Sequence, residues 1–123
     1  MTTVAVIFAA LAGLLHLGIF VMEALLFERP AVFTRFGAAD AQVAKVQAPV
    51  FYNIGFYNLF LGLGALVGAG MLAGSGAITL VVFTGVFMVG AAVVLVTSKP
   101  QLARAAFMQA LFPAIALIAV AFG

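Results

Sequence analysis

Polar positions divide this chain into four long apolar runs. From Thr3 to Phe27 the only ionisable side chains are His16 and Glu23, and Glu28-Arg29-Pro30 closes the run. Apolar residues resume from about Val50 to Leu72, from Ala77 to Thr97 and from Leu102 to Phe122. Ala73-Gly74-Ser75-Gly76 and Ser98-Lys99-Pro100-Gln101 have the composition of tight turns between them. Each run reaches the roughly 20 residues that a helix needs to cross a bilayer. The runs are continuous rather than alternating, which argues against a β-barrel. Connections this short predict an up-down-up-down arrangement. The expected fold is an all-α integral membrane protein, a four-transmembrane-helix bundle forming one membrane domain over residues 1–123, with no long-period repeat.

Residues 28–48 interrupt the pattern. They carry Glu28, Arg29, Arg35, Asp40 and Lys45, with Phe33 and Phe36 between the charges. That mixture suits a segment lying in the headgroup layer. Asp40 is placed to cap a short helix through about Gln47, because its carboxylate can accept free amide hydrogens of a first turn. Pro49 either breaks the chain or starts the next span, and both alternatives stay open.

Composition agrees with the pattern. The chain is 67% hydrophobic and 7% charged, against about 25% charged for a soluble domain. It has no cysteine, which excludes disulfides, thiolate metal sites and thiol nucleophiles. A net charge of +2 is too small for a nucleic-acid footprint. A secretory signal peptide opens on basic residues, whereas residues 1–27 contain no Lys or Arg, so the first run reads as a retained span. All five Lys and Arg residues lie in or beside the first and third connections: Arg29, Arg35, Lys45, Lys99 and Arg104. The positive-inside rule makes those connections cytoplasmic and both termini extracytoplasmic.

Candidate chemistry centres on the first run. His16 and Glu23 stand seven positions apart, about 20° from alignment and roughly 10 Å along a helix. Ala9, Ala12, Gly13 and Phe20 share their face, while Ile7, Leu11, Leu14, Val21 and Leu25 lie opposite. An ionisable group at membrane depth costs about 2.5–3.5 kcal/mol on insertion scales and faces a bundle interior or a wet cavity, so both residues are expected to point inward. In the second run, Asn53, Tyr57, Phe60, Gly64 and Gly68 make one stripe, and Gly55, Asn58 and Gly62 another. The Gly64–Gly68 pair suits close helix contact. In the fourth run Gln109 shares a face with Pro113. By depth, His16 lies nearest the midplane, and the other polar side chains collect in the cytoplasmic half. The candidate ligand-binding residues are therefore His16, Glu23, Asn53, Tyr57, Asn58 and Gln109.

Each has a plainer reading. A lone intramembrane His, Asn or Gln serves as an interhelical hydrogen bonder worth about 0.6 kcal/mol. Glu23 can sit at a helix end beside headgroups, and tyrosines near a helix end form an aromatic belt. One His, one Glu and no Cys do not make a metal or haem ligand set, and no cofactor is expected. No serine–histidine pair, phosphate-cradling loop or dinucleotide fingerprint is present.

Three stretches carry a resemblance: His16-x-x-Ile19-Phe20-x-x-Glu23, then Asn53-x-Gly55-x-Tyr57-Asn58-x-Phe60-Leu61, then Lys99 followed by Gln109 and Pro113-Ala114. Together they resemble small bacterial integral membrane proteins grouped as domain of unknown function 1304, in order and over nearly the whole chain. The family's second motif usually reads Asn-Gln-Gly, and here Ile54 stands in place of the glutamine. The resemblance implies a four-helix protein of a bacterial cytoplasmic (inner) membrane and no reaction.

Three functional classes follow. The first is a non-enzymatic membrane protein binding a lipid, quinone or other hydrophobic small molecule in an inward polar pocket in the cytoplasmic half. The second is a small membrane enzyme with Glu23 and His16 as acid and base, although their axial separation places them at different ends of a substrate. The third is a structural or assembly subunit, with the lipid bilayer, a second copy or a membrane-complex protein as partner.

Overall fold

A computed structural model describes residues Met1–Gly123 and is all-helical. Helix α1 (Thr2–Phe20) passes into a wider π-turn (Val21–Leu25). A short helix α2 (Pro30–Phe33) continues as one 3-10 turn (Thr34–Phe36). Then follow α3 (Ala41–Ser75), α4 (Thr79–Ser98), a 3-10 turn (Pro100–Leu102) and α5 (Ala103–Phe122). Four of these stretches are long and apolar enough to cross a membrane. The chain is a multi-pass, four-helix membrane protein.

The second span differs from its expected limits of 50–72. It begins nine residues earlier, at Ala41, and runs unbroken through Pro49 to Ser75. Asp40 starts it as anticipated, its Oδ1 accepting from the Val43 N–H at 2.9 Å. Proline removes the N–H that would satisfy the Lys45 carbonyl. That carbonyl lies outside the apolar run, where water or headgroups can satisfy it, so the helix continues. At the other end Gly76 adopts a left-handed φ of 76°, and its N–H closes onto the Leu72 carbonyl. Only glycine takes that conformation without strain. The polar segment expected over 28–48 therefore shortens at its end, since residues 41–48 belong to α3.

Phe33 is not spread in the headgroup layer. The α2 turn folds back and joins Phe33 and Ala38 to Phe27 and Ala44 in a small core, with Phe36 and Phe51 packed against it. Phe27 and Phe51 stack with ring centroids 4.3 Å apart. Aromatic side chains each hide about 150–250 Å² when buried, so four rings drawn together can close one end of the bundle.

The main core follows one seam of α1. Ala5, Ala9, Ala12, His16 and Ile19, and then Glu23, are buried along it at alternating spacings of four and three, with Gly13 buried beside Ala12. The upper seam is nearly all alanine. Ala5 and Ala9 meet Ala69, Leu72, Val81, Ala116 and Ala119, and Ala12 meets Ala65 and Met88. Small residues allow the close backbone approach that drives helix packing in lipid. The nearest approach is Gly13 against Gly62, where a Cβ on either would stand 2.8 Å from the other's carbonyl oxygen. Gly68 seats α3 on Leu80 and Val81 of α4, whereas Gly64 makes only an ordinary contact with Thr84. The closest approaches to α1 thus use Gly55 and Gly62, and the expected Gly64–Gly68 pair serves α4.

Candidate functional site

His16 and Glu23 are both buried, 3% and 5% exposed. They continue the alanine seam downward, so the helix phase that packs the upper half against α3 and α5 carries the two polar side chains inside as well. His16 Nδ1 lies 2.9 Å from the Ala12 carbonyl oxygen, one turn back. A carbonyl can only accept, so Nδ1 carries the proton and donates; in a neutral imidazole Nε2 is then an acceptor.

Glu23 occupies the middle of the π-turn, where the Leu26 N–H reaches back five residues to the Val21 carbonyl at 3.1 Å. Such turns insert an extra residue into the helical repeat and occur often at functional sites. Gly55 of α3 makes room for it. A Cβ at Gly55 would stand 2.9 Å from the Ala24 Cβ, 3.0 Å from the Ala24 nitrogen and 3.2 Å from the Glu23 Cβ. One turn along α3, Asn58 donates from Nδ2 to Glu23 Oε1 at 2.6 Å, and the same nitrogen donates to the Ile54 carbonyl at 3.3 Å. The carboxyl group is therefore held by a neutral amide rather than by a cation. Asn58 lies seven positions before Ala65, which places it on the side of α3 that faces the bundle centre.

The single fully enclosed side-chain polar atom without a partner is Gln47 Oε1. The second oxygen of Glu23 and Nε2 of His16 make no hydrogen bond within the chain. Above His16, the seam holds a gap of only about 10 Å³ between Ala9, Ala12, Met88 and Pro113, room for one water at most. A shallow apolar hollow on the outer face of α4, between Ile78, Phe83 and Phe87, includes none of the polar candidates.

The other expected site residues fall elsewhere. Asn53 is exposed and donates from Nδ2 to the Pro49 carbonyl at 3.1 Å. Tyr57 is exposed, 72%, on the outer side of α3. Gln109 is half-buried one turn before Pro113, whose ring leaves the Gln109 carbonyl without its helical donor. The structure thus pairs Glu23 with Asn58 and aligns them with His16, but it does not bring Asn53 or Tyr57 to them. The sequence put Asn58 on a stripe with Gly55 and Gly62 and Asn53 on one with Gly64 and Gly68, and nothing in it told which stripe meets Glu23. The π-turn had no signal either, since periodicity assumes a uniform helix. No three His, Cys, Asp or Glu side chains converge as a metal site.

Neither a curated protein nor a solved structure matches the chain. Residues 10–121 match the family model described as protein of unknown function (DUF1304). That match takes in the His16–Glu23 motif, the Asn53–Leu61 motif and the Gln109–Ala114 stretch, and the chain belongs to this family.

Proposed function

We propose that the protein binds a lipid, quinone or other hydrophobic small molecule whose polar group enters the lower seam at Glu23. The observation that carries this reading is a carboxyl group buried in a spanning segment, with one oxygen held by Asn58 and the other left free. Burying an acid at membrane depth costs about 2.5–3.5 kcal/mol on insertion scales. One neutral hydrogen bond returns only about 0.6 kcal/mol. A ligand that pairs with the free oxygen offsets part of the remainder. His16 Nε2, roughly 10 Å further along the seam, gives a second acceptor for a hydroxyl or amine on the same molecule. The two groups are too far apart to exchange a proton directly, which favours binding over acid–base catalysis.

Orientation belongs to the same reading. The end bearing Arg29, Arg35, Lys45, Lys99 and Arg104 faces the cytoplasm of a bacterial inner membrane, and both termini lie outside. The Glu23 end of the seam then opens toward the inner leaflet.

Mass spectrometry of small molecules co-purified with the full chain tests the proposal, using wild type, Glu23→Gln and His16→Ala. The expected result is a bound species recovered with wild type and depleted at least several-fold in both variants, each melting as wild type does. Equal recovery from all three overturns it.

A further inference from the structure

The polar atoms left without a partner along the lower seam are all of one kind. Asn58 Nδ2 donates to Glu23 Oε1 at 2.6 Å and to the Ile54 carbonyl at 3.3 Å. Both neighbours are acceptors, which assigns that end of the amide as the nitrogen. Asn58 Oδ1 is bonded to the same carbon, so an acceptor stands beside the carboxyl group, and it makes no hydrogen bond within the chain. Glu23 Oε2 makes none either. His16 carries its proton on Nδ1, so Nε2 of the neutral ring is a third acceptor, roughly 10 Å along the seam.

We infer that the ligand is a lipophilic amine, bound as its ammonium ion with N–H groups donated to Glu23 Oε2 and Asn58 Oδ1. This rests on the reading of Glu23 as a binding residue and names the chemical class that the site takes.

Charge selects the ammonium group. Glu23 is 5% exposed, whereas Arg29, Arg35, Lys45, Lys99 and Arg104 are all exposed. The one side chain bonded to the carboxyl group is a neutral amide. The chain thus gives its buried acid no cation of its own. A carboxylate away from water is costly unless a positive charge accompanies it. An alkylamine carries that charge at neutral pH, as a lysine side chain does. Its ammonium hydrogens are all donors and it presents no acceptor, so it meets the free oxygens without conflict. A quinone or a carboxylate offers only acceptors, which would face acceptors here. An alcohol can pair with one oxygen but leaves the charge of the acid uncompensated.

The surroundings select the apolar body. Asn58 is half-buried, more open than Glu23 or His16, and so marks the side from which the pair is reached. Ile54, one turn before it, is 37% exposed, and Leu61, three residues after it, is half-buried. Apolar side chains around a few placed polar groups suit a hydrocarbon chain that ends in a polar head, not a free polyamine.

The test uses decylamine, decanol, decanoate and decylubiquinone, which share a ten-carbon chain. Each is titrated into the full chain in nanodiscs of neutral lipid at pH 7, with empty nanodiscs subtracted, and binding is read by calorimetry. Decylamine is expected to saturate at one per chain and to bind Glu23→Gln about ten-fold more weakly than wild type, the loss of a hydrogen bond to a charged group. The other three are expected to show no binding that depends on Glu23. Decyltrimethylammonium keeps the charge but has no N–H, and is expected to bind wild type several-fold more weakly than decylamine, a comparison that needs no variant. Equal affinity of decylamine for wild type and for a Glu23→Gln variant that melts as wild type does overturns the inference. So does equal affinity of wild type for decylamine and decyltrimethylammonium. Binding of decanol or decylubiquinone that depends on Glu23, with none of decylamine, overturns the amine while keeping Glu23 as a binding residue. Failure of every compound overturns it too, and the co-purified species then decide the broader reading separately.

Discussion

Replacing Gly62 by alanine tests how the two halves of the bundle are joined. The added Cβ would stand 2.8 Å from the Gly13 carbonyl oxygen and 3.3 Å from the Leu17 nitrogen. Both are backbone atoms of α1, and neither can turn aside as the end of a flexible side chain does. Ordinary contact begins near 3.4 Å, so α1 and α3 must separate by about 0.6 Å. A gap of that size forfeits about a quarter or more of the attraction between atoms lining the interface. Overpacking of this kind costs about 1–3 kcal/mol, while alanine recovers about 0.5–1 kcal/mol of helix propensity. The net expectation is a destabilisation of up to about 2.5 kcal/mol. Gly18→Ala is the internal control, since a Cβ there meets nothing within 4 Å, and it should be neutral or stabilising by up to about 1 kcal/mol. Thermal melting followed by far-UV circular dichroism in one detergent orders the variants as Gly62→Ala, wild type, Gly18→Ala. If Gly62→Ala melts with or above Gly18→Ala, the two helices are not held at glycine contact and the geometry described here is wrong.

Other substitutions probe separate parts. Asn58→Leu leaves the Glu23 carboxyl without its partner, which should cost about 1–3 kcal/mol; adding Glu23→Leu should return most of that loss in the same melt, and a double variant no better than the single would refute the pairing. Asp40→Ala removes the cap of α3 and should cost about 1 kcal/mol, seen as faster hydrogen exchange at residues 43–46 with the membrane-embedded part of α3 unchanged. Phe27→Ala should loosen residues 27–38 by about 3–5 kcal/mol, read as new proteolytic cleavage there while the four spans stay protected.

The Glu23–Asn58 pair shows where reading along the chain succeeds and stops. Helical phase puts His16 and Glu23 on the alanine side of α1, and insertion cost keeps that side out of lipid, so their burial follows from a single helix. Asn58 and Asn53 look alike at that level. Each is an amide on α3 within a turn or two of a tyrosine. What separates them is that α1 lies against Gly55 and Gly62, while α4 covers the other stripe only at Gly64 and Gly68. Asn58 is thereby carried to Glu23, and Asn53 is left outside bonded to its own helix.

Hydrophobic length and charge placement, both local properties, determined the four spans, their alternating direction and the inward turn of the histidine and the acid. They are set by the free energy of moving each segment from water to hydrocarbon, which needs no knowledge of neighbours. Which glycines touch, where the helix widens into a π-turn and which amide reaches the carboxyl were decided only by tertiary packing. These choices turn on contacts between whole helices, and a repeat of 3.6 residues offers several faces of equal merit until a second helix occupies one.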